Sequence, residues 1–367
     1  MTATTAASSG KPLGYEPTQA VLKHLKFDTR QEIHRHIPQL RKTNALLPYT
    51  FNDVKFSKNS ISIDHSHWSF GKRPYLRRTG ENYETRGDAR RTPSPVLRTP
   101  PTLKTGAVSY CGKGYQRLHF ETEKSSEECH ELLFDTFFKN GTVIQGTVGI
   151  HGLPEFMHTK ETEGFTRIRM MSELRFSHFV ASRIFYDFVR FADFGKLQCI
   201  EFKADWMNVD CVGAPEFINC PTLKLNVGNV EVRNQNKHLI DIYNLKNRHL
   251  EYEYHHFKVD QVETLVERWL SSNREVGTRF TLKVFSMERY EKILEMFDRC
   301  RKRFRGVWSK HPGLGQSFHA NGVTIPMREG RELVMFGGFE SVYRPDTLEM
   351  EVMKGGSSVK RAWRRGD

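Results

Sequence analysis

No two of the six cysteines, Cys111, Cys129, Cys199, Cys211, Cys220 and Cys300, are spaced as C-x-x-C. Metal fingers need such close pairs to aim two thiolates at one ion, so no metal site is assigned. No apolar run approaches the length of a membrane span. The N-terminus, MTATTAASSGKPLGYEP, is polar and lacks the apolar core of a secretion signal. Unpaired thiols in such a chain fit a reducing compartment, the cytoplasm or nucleus, and no membrane partner is expected. Neither G-x-x-x-x-G-K-[ST] nor G-x-G-x-x-G occurs, so CGKGYQR at Cys111 and GLGQSFHANG at Gly313 read as turns, not phosphate loops. G-x-S-x-G and H-E-x-x-H are also missing. The expected class is therefore not an enzyme, and no catalytic residue or cofactor is assigned.

The remaining candidates for chemistry are bland. A cysteine nucleophile needs a base within hydrogen-bond reach. Cys129 and Cys300 fall on apolar helix faces, Cys199 and Cys220 flank strand-like segments, and Cys211 is in a loop. His34 and His36, His65 and His67, and the pair His255-His256 read as surface histidines.

What the chain does have is apolar mass. Hydrophobic residues make up 38% of its 367 residues and phenylalanine alone numbers 26, enough to bury a real core in two domains or one with a long insertion. The net charge is +13 and the pI about 9.4. The excess gathers in Lys72 to Lys104 and in the tail from Lys354 to Arg365. A nucleic acid, an acidic protein surface or plain solvation would each account for it. Tyr75, Tyr83 and Trp363 lie near these cations, but scattered, without a recognition motif.

Residues 1–11 are small and polar, and expected to be disordered. Three short helices are expected within 12–48. Val21, Leu22 and Leu25 share a face of the first; Asp28 and Gln31 have capping-box spacing at the second, which carries Ile33 and Ile37; Pro38 breaks it; Leu40 and Leu47 belong to a third that Pro48 ends. Across 49–70, Val54 to Phe56 and Ile61 to Ile63 read as a hairpin turning at Asn59 and Ser60, with Trp68 and Phe70 extending the alternation. Residues 71–106, which include RRTPSPVLRTPP, form a basic, proline-rich linker or loop. Thr92, Ser94 and Thr99 each precede a proline there, as proline-directed phosphorylation requires, and a phosphate would sit beside arginines.

From 107 to 353 the pattern becomes regular. Ser125 and Glu128 cap a helix with Cys129, Leu132, Leu133 and Phe137 at core spacing, which Asn140-Gly141 ends. Strand-like segments then recur near Gly146, Phe176, Ile200, Lys224, Tyr252 and Leu282, at intervals of 30, 24, 24, 28 and 30 residues. Strand-and-return spacing of this kind suits an irregular leucine-rich-repeat-like stack of parallel strands, though an ordinary α/β sheet with crossover helices remains open. A helix capped by Asp260 and Glu263 carries Val262, Leu265, Val266, Trp269 and Leu270 on one face. A second, from about Met287 to Phe304, carries Tyr290, Ile293, Leu294, Phe297 and Cys300 and ends in cations that suit the helix dipole. GVTIPM, ELVMFG and TLEMEVMK form a terminal β-unit, followed by the basic tail 354–367.

The opening stretch from KPLGYEPTQAVLKHL to SKNSISI, together with SSEECHELLFDTFFKNGTVIQGTVGIHGLPEF, RMMSELRFSHF, and NREVGTRFTLKVF through HANGVTIPMREGRELVMFG, resembles the nematode F-box C-type family. That resemblance implies an F-box-like helical head over 12–48 followed by a nematode-specific domain. It further implies a substrate-recognition adaptor of a Skp1-cullin-F-box-type ubiquitin ligase. Leu22, Leu25, Ile33, Ile37 and Leu40 would dock a Skp1-like adaptor, and the body would hold an unknown protein substrate. The usual Leu-Pro start of an F-box is replaced by Pro12-Leu13-Gly14-Tyr15, and no tryptophan closes the segment. A stand-alone binding protein and a nucleic-acid-binding protein are the alternatives.

Overall fold

A computed structural model describes residues 14–71, 106–112, 117–138, 141–159, 168–176, 182–203, 211–226, 242, 244–253, 259–283, 289–310, 322–338 and 347–360. The fold is mixed α/β, in two compact units: residues 1–145 with 152–168, and residues 146–151 with 169–367. Among the described residues no helix is long and apolar enough to cross a membrane. The linker, with Thr92, Ser94 and Thr99, lies outside the described residues, as do most of both glycine-rich segments and residues 361–367 of the tail.

The first unit begins with helices α1 (Tyr15–His24), α2 (Phe27–His36) and α3 (Arg41–Leu46), a 3-10 turn at Pro38–Leu40 preceding the last. Pro38 opens that turn where α2 has stopped, as its missing amide and fixed φ dictate. The faces differ from expectation. Leu22 is buried but its neighbour Val21 is half exposed, and Leu25 lies past the helix end in extended backbone. The α2 face that turns inward carries Phe27 and Arg30. Asp28 lies inside α2 and caps nothing; Lys26 occupies the N-cap position, without a side-chain bond.

A meander follows: β1 (Thr50–Phe51), then β2 (Val54–Ser57), β3 (Ser60–Ile63), β4 (Ser66–Gly71), β5 (Gly106–Cys111) and β6 (Arg117–Thr122). Strands β2 to β6 pair in sequence, all antiparallel. Asp64 makes the tight β3–β4 turn in left-handed backbone at φ 51°, with its carboxylate accepting the Asn52 and Asp53 amides at 2.8 and 2.9 Å. Helix α4 (Ser126–Phe137) has the expected capping box: Ser125 Oγ accepts the Glu128 amide at 3.1 Å, and Glu128 accepts the Ser125 amide at 2.6 Å. Its buried face, however, is His130, Phe134 and Phe137, while Leu132 is 53% exposed. Strand β7 (Val143–Ile144) pairs parallel with β1. Phe27 meets Tyr49, Phe51, Trp68 and Phe137 at ring distances of 5.1 to 6.2 Å, which ties α2 to the meander and α4. The N-terminal helices and residues 117–138 therefore share one core, where composition suggested a head separated from the body by 71–106.

The second unit holds β8 (Thr147–Ile150), β9 (Ile168–Met170), β10 (Glu173–Phe176), α6 (Ser182–Val189), β11 (Ala192–Asp193), β12 (Cys199–Lys203), α7 (Pro215–Asn219), β13 (Thr222–Asn226), β14 (His249–Glu253), α8 (Val259–Ser271), β15 (Arg279–Lys283) and α9 (Arg289–Arg303). One further helix, α5 (Glu155–Thr159), belongs to the first unit. Strands β8, β10, β12, β13, β14 and β15 run parallel in that order, each beside its predecessor. They begin 26, 26, 23, 27 and 30 residues apart. Leu174 and Phe176, Ile200 and Phe202, Leu223 and Leu225, Leu250 and Tyr252, and Phe280 and Leu282 point to the buried face. Phe185 on α6 packs on Phe176, Phe217 on α7 packs on Phe202, and Trp269 on α8 packs on Phe280. Between strands, Asn247 is buried and donates through Nδ2 to the Phe217 and Cys220 carbonyls, both at 2.7 Å, joining consecutive turns.

Helix α8 starts at Val259, so Asp260 and Glu263 lie within its first turns. They pair across to α9 instead of capping: Arg299 meets Asp260 at 2.8 Å and Glu263 at 2.6 Å, and Arg303 meets Glu263 at 3.2 Å and Glu267 at 2.8 Å. Phe297 and Cys300 are buried as expected, while the side chains of Tyr290, Ile293 and Leu294 lie outside the described residues. Strands β16 (Val307–Lys310), β17 (Gly322–Pro326), β18 (Arg331–Gly338), β19 (Thr347–Lys354) and β20 (Val359–Lys360) form the antiparallel end of the sheet, with β19 beside β15. The expected tail thus contributes order as far as Lys360. Glu332, buried, accepts the Gly356 and Ser358 amides at 3.0 and 2.7 Å and holds the turn before β20.

Candidate interaction surface

Alternation along a strand sends every second residue to the opposite face. On β10, β12, β13 and β14 those alternate residues are mostly polar and part-buried or exposed, so one face of this part of the ladder is apolar core and the other is a polar surface. The parallel register lines them into rows. Arg175, Glu201, Lys224 and Glu251 stand side by side on four consecutive strands, alternating in sign. The next row toward the strand ends is Lys203, Asn226, Glu253 and Lys283.

Opposite charges on adjacent strands support each other and the sheet. Arg175 meets Glu173 at 2.7 Å and Glu201 at 3.5 Å, and Lys283 meets Glu251 at 2.7 Å. The Glu173 contact holds the Arg175 guanidinium above its ordinary pKa. At the strand ends Lys203, Lys224, Asn226, Glu251, Glu253 and Lys283 line a shallow polar recess of about 170 Å³. The carboxyl ends of parallel strands are where such sheets commonly receive ligands.

A second polar chain crosses β14, β15 and β19. His249 Nε2 lies 3.1 Å from Thr281 Oγ1, Thr281 donates to Glu349 at 2.6 Å, and Arg279 donates to the same carboxylate at 3.0 Å. Burial, with Arg279 second, pushes the His249 pKa down. Thr281 is buried and its proton is aimed at Glu349, so the arrangement holds strands together and presents no accessible nucleophile. Three of the thiols, Cys199, Cys220 and Cys300, are held protonated. Burial, reinforced by Glu173, pushes Cys199 up to about 12; burial pushes Cys220 up to about 11 and, with Glu263, Cys300 up to about 12. Among the described residues no group of histidine, cysteine or acidic side chains is arranged to hold a metal ion.

The residues expected to dock an adaptor differ in exposure. Leu22 is buried, Leu25, Ile33 and Leu40 are half-buried, and Ile37 is 40% exposed. Outside that set, Tyr15, Val21 and Leu46 are 59%, 50% and 66% exposed. The sequence reading missed the charge rows, whose signal was present: one charged residue between the two core positions of each of four successive strands.

No curated protein and no solved structure matches the chain. Residues 169–286, which contain β10 to β15 of the parallel ladder, match the family described as a domain of unknown function, DUF3557.

Proposed function

We propose that this chain is a protein-interaction module whose second unit receives an unidentified protein partner on the polar face of its parallel ladder. The observation that carries this is the sign-alternating row Arg175, Glu201, Lys224 and Glu251, partly open to solvent and continued by the recess at the strand ends. Such a row gives specificity by charge pattern while keeping net local charge near zero. The protonated thiols of Cys199, Cys220 and Cys300 and the buried Thr281 favour binding over covalent catalysis at these positions. We read the ladder as an irregular leucine-rich-repeat-like stack, which the sequential parallel order and the Asn247 link between turns support.

Within that reading, the adaptor function implied by the F-box likeness needs an apolar docking face on the N-terminal helices. Tyr15, Val21, Ile37 and Leu46 supply exposed apolar area there. The test is co-purification with a Skp1-like adaptor: a Val21→Asp plus Leu46→Asp variant stays folded and loses the adaptor. A wild-type chain that never retains the adaptor sinks this reading.

The alternative is a stand-alone binding protein without ligase docking. Its support is the way Leu22, Phe27, Arg30 and Leu47 are consumed by the unit's own core. The nucleic-acid reading rests on the basic segments Lys72 to Lys104 and Lys354 to Arg365, of which 72–104 and 361–365 lie outside the described residues. It requires binding that weakens steeply with salt, and no binding at low salt would dismiss it.

A further inference from the structure

The meander of the first unit ends on β6, which has no neighbour beyond β5 among the described residues. An open edge leaves a row of outward amides and carbonyls without ladder partners. Edges of this kind are usually guarded by charge, proline or a covering element. Here the apolar face of the sheet continues onto the edge. Phe70, Val108 and Phe120 stand in one row across β4, β5 and β6, and Trp68, Tyr110 and Leu118 in the next. Helix α4 packs on β4 and β5. Beyond it Leu118 is 45% and Phe120 52% exposed, with Leu132 of α4 overlooking them. Together with α2 these elements bound an open apolar groove of about 920 Å³. On the other face His119 is held by Ser109, Nδ1 to Oγ at 2.8 Å.

The edge has a sequence that matches itself. From 117 to 121 it runs Arg-Leu-His-Phe-Glu: apolar residues on either side of His119, then a cationic residue at one end and an acidic one at the other. An antiparallel strand of the same sequence, set with His119 opposite His119, brings position 118 opposite 120 twice and 117 opposite 121 twice. Apolar meets apolar, and a residue of one charge meets its opposite. A slip by one residue would join the apolar face to the polar one, and a slip by two would break both pairings of Leu118 with Phe120.

We infer that β6 is the contact of a twofold-symmetric homodimer, in which two copies pair antiparallel about His119 and cover one another's apolar groove. The dimer extends both meanders into one sheet and removes both open edges. This is independent of the polar ladder and of any adaptor.

The test is sedimentation of the full chain, with circular dichroism to establish that each variant is folded. The wild type sediments as a dimer at micromolar concentration. Phe120→Lys, at an exposed position, becomes a folded monomer. Arg117→Glu and Glu121→Arg each weaken the dimer, and the two together restore it. Under mild oxidation His119→Cys links two copies covalently while Leu118→Cys, opposite position 120, does not. A monomeric wild type, a dimer that survives Phe120→Lys, or a double charge swap that fails to restore association would each overturn the proposal.

Discussion

The guanidinium carbon of Arg30 lies 3.8 Å from the ring centre of Tyr49, and that stack fastens α2 to the start of the first sheet. Arg30 is 1% exposed, and the acceptors that surround it are neutral. Its Nε donates to Asn44 Oδ1 at 2.7 Å, Nη1 to the Pro48 carbonyl at 2.6 Å, and Nη2 to the Asn44 and Leu47 carbonyls at 3.0 and 3.2 Å. The Leu47 and Pro48 carbonyls lie past the end of α3, and the rigid fork of an arginine reaches them together with the Asn44 carbonyl, which also accepts the Leu47 amide at 3.3 Å. Burial lowers the Arg30 pKa and raises that of the Tyr49 hydroxyl, Arg30 opposing the second shift.

Arg30→Met keeps the bulk and strands the buried acceptors, so it should cost roughly 3 kcal/mol or more in chemical denaturation. Arg30→Lys should recover only part of this, because an ammonium cannot span the same acceptors. A loss below about 1 kcal/mol for Arg30→Met would mean that water replaces the fork and the helices are loosely held.

His130 is the pH-sensitive point of the same unit. It is stacked on Phe70 with ring centres 4.3 Å apart, it is buried, and its Nε2 has no partner among the described residues. Burial pushes its pKa down from 6.5 to about 4. Between those values the unfolded chain binds the proton more readily than the folded one. Stability is therefore full above pH 6.5 and falls as the pH drops toward 4, by about 3 kcal/mol in all. His130→Phe should abolish that part of the pH dependence. An unchanged slope in the variant would assign the effect to other groups.

Trp269 is 1% exposed, packed on Phe280 at 6.2 Å and covered by the Arg274 guanidinium at 4.2 Å. Trp269→Ala should cost roughly 3–5 kcal/mol, through lost transfer energy and the cavity left behind. A change below about 1 kcal/mol would contradict the packing of α8 on the ladder.

Much of the second unit was legible in the sequence because its signal is local and repeated. Each parallel strand from β10 onward carries two core residues flanking a polar one, and α8 keeps a single apolar stripe through Trp269. The first unit was harder. Helix α4 has apolar residues on two faces, Cys129, Leu132 and Leu133 on one and Phe134 and Phe137 on the other. Which face is buried is decided by a sheet built from residues far away in the chain, and it took His130 along. Arg30 and Asn247 look like surface residues in sequence, and are buried because loop carbonyls distant in the chain need donors. Composition marks 71–106 as a break, yet β4 and β5, which flank it, pair with each other.

The most direct test of the polar face exchanges two charges that make the recess and leaves the core alone. A Lys203→Glu plus Glu253→Lys variant keeps the net charge. Exposed and part-exposed pairs of this kind contribute about 1 kcal/mol or less, so the variant should remain folded. Affinity purification of the wild type and the variant, compared by mass spectrometry, then reads the surface itself. The account predicts one or more proteins retained reproducibly by the wild type and lost from the folded variant. Identical partner sets for both chains would contradict it.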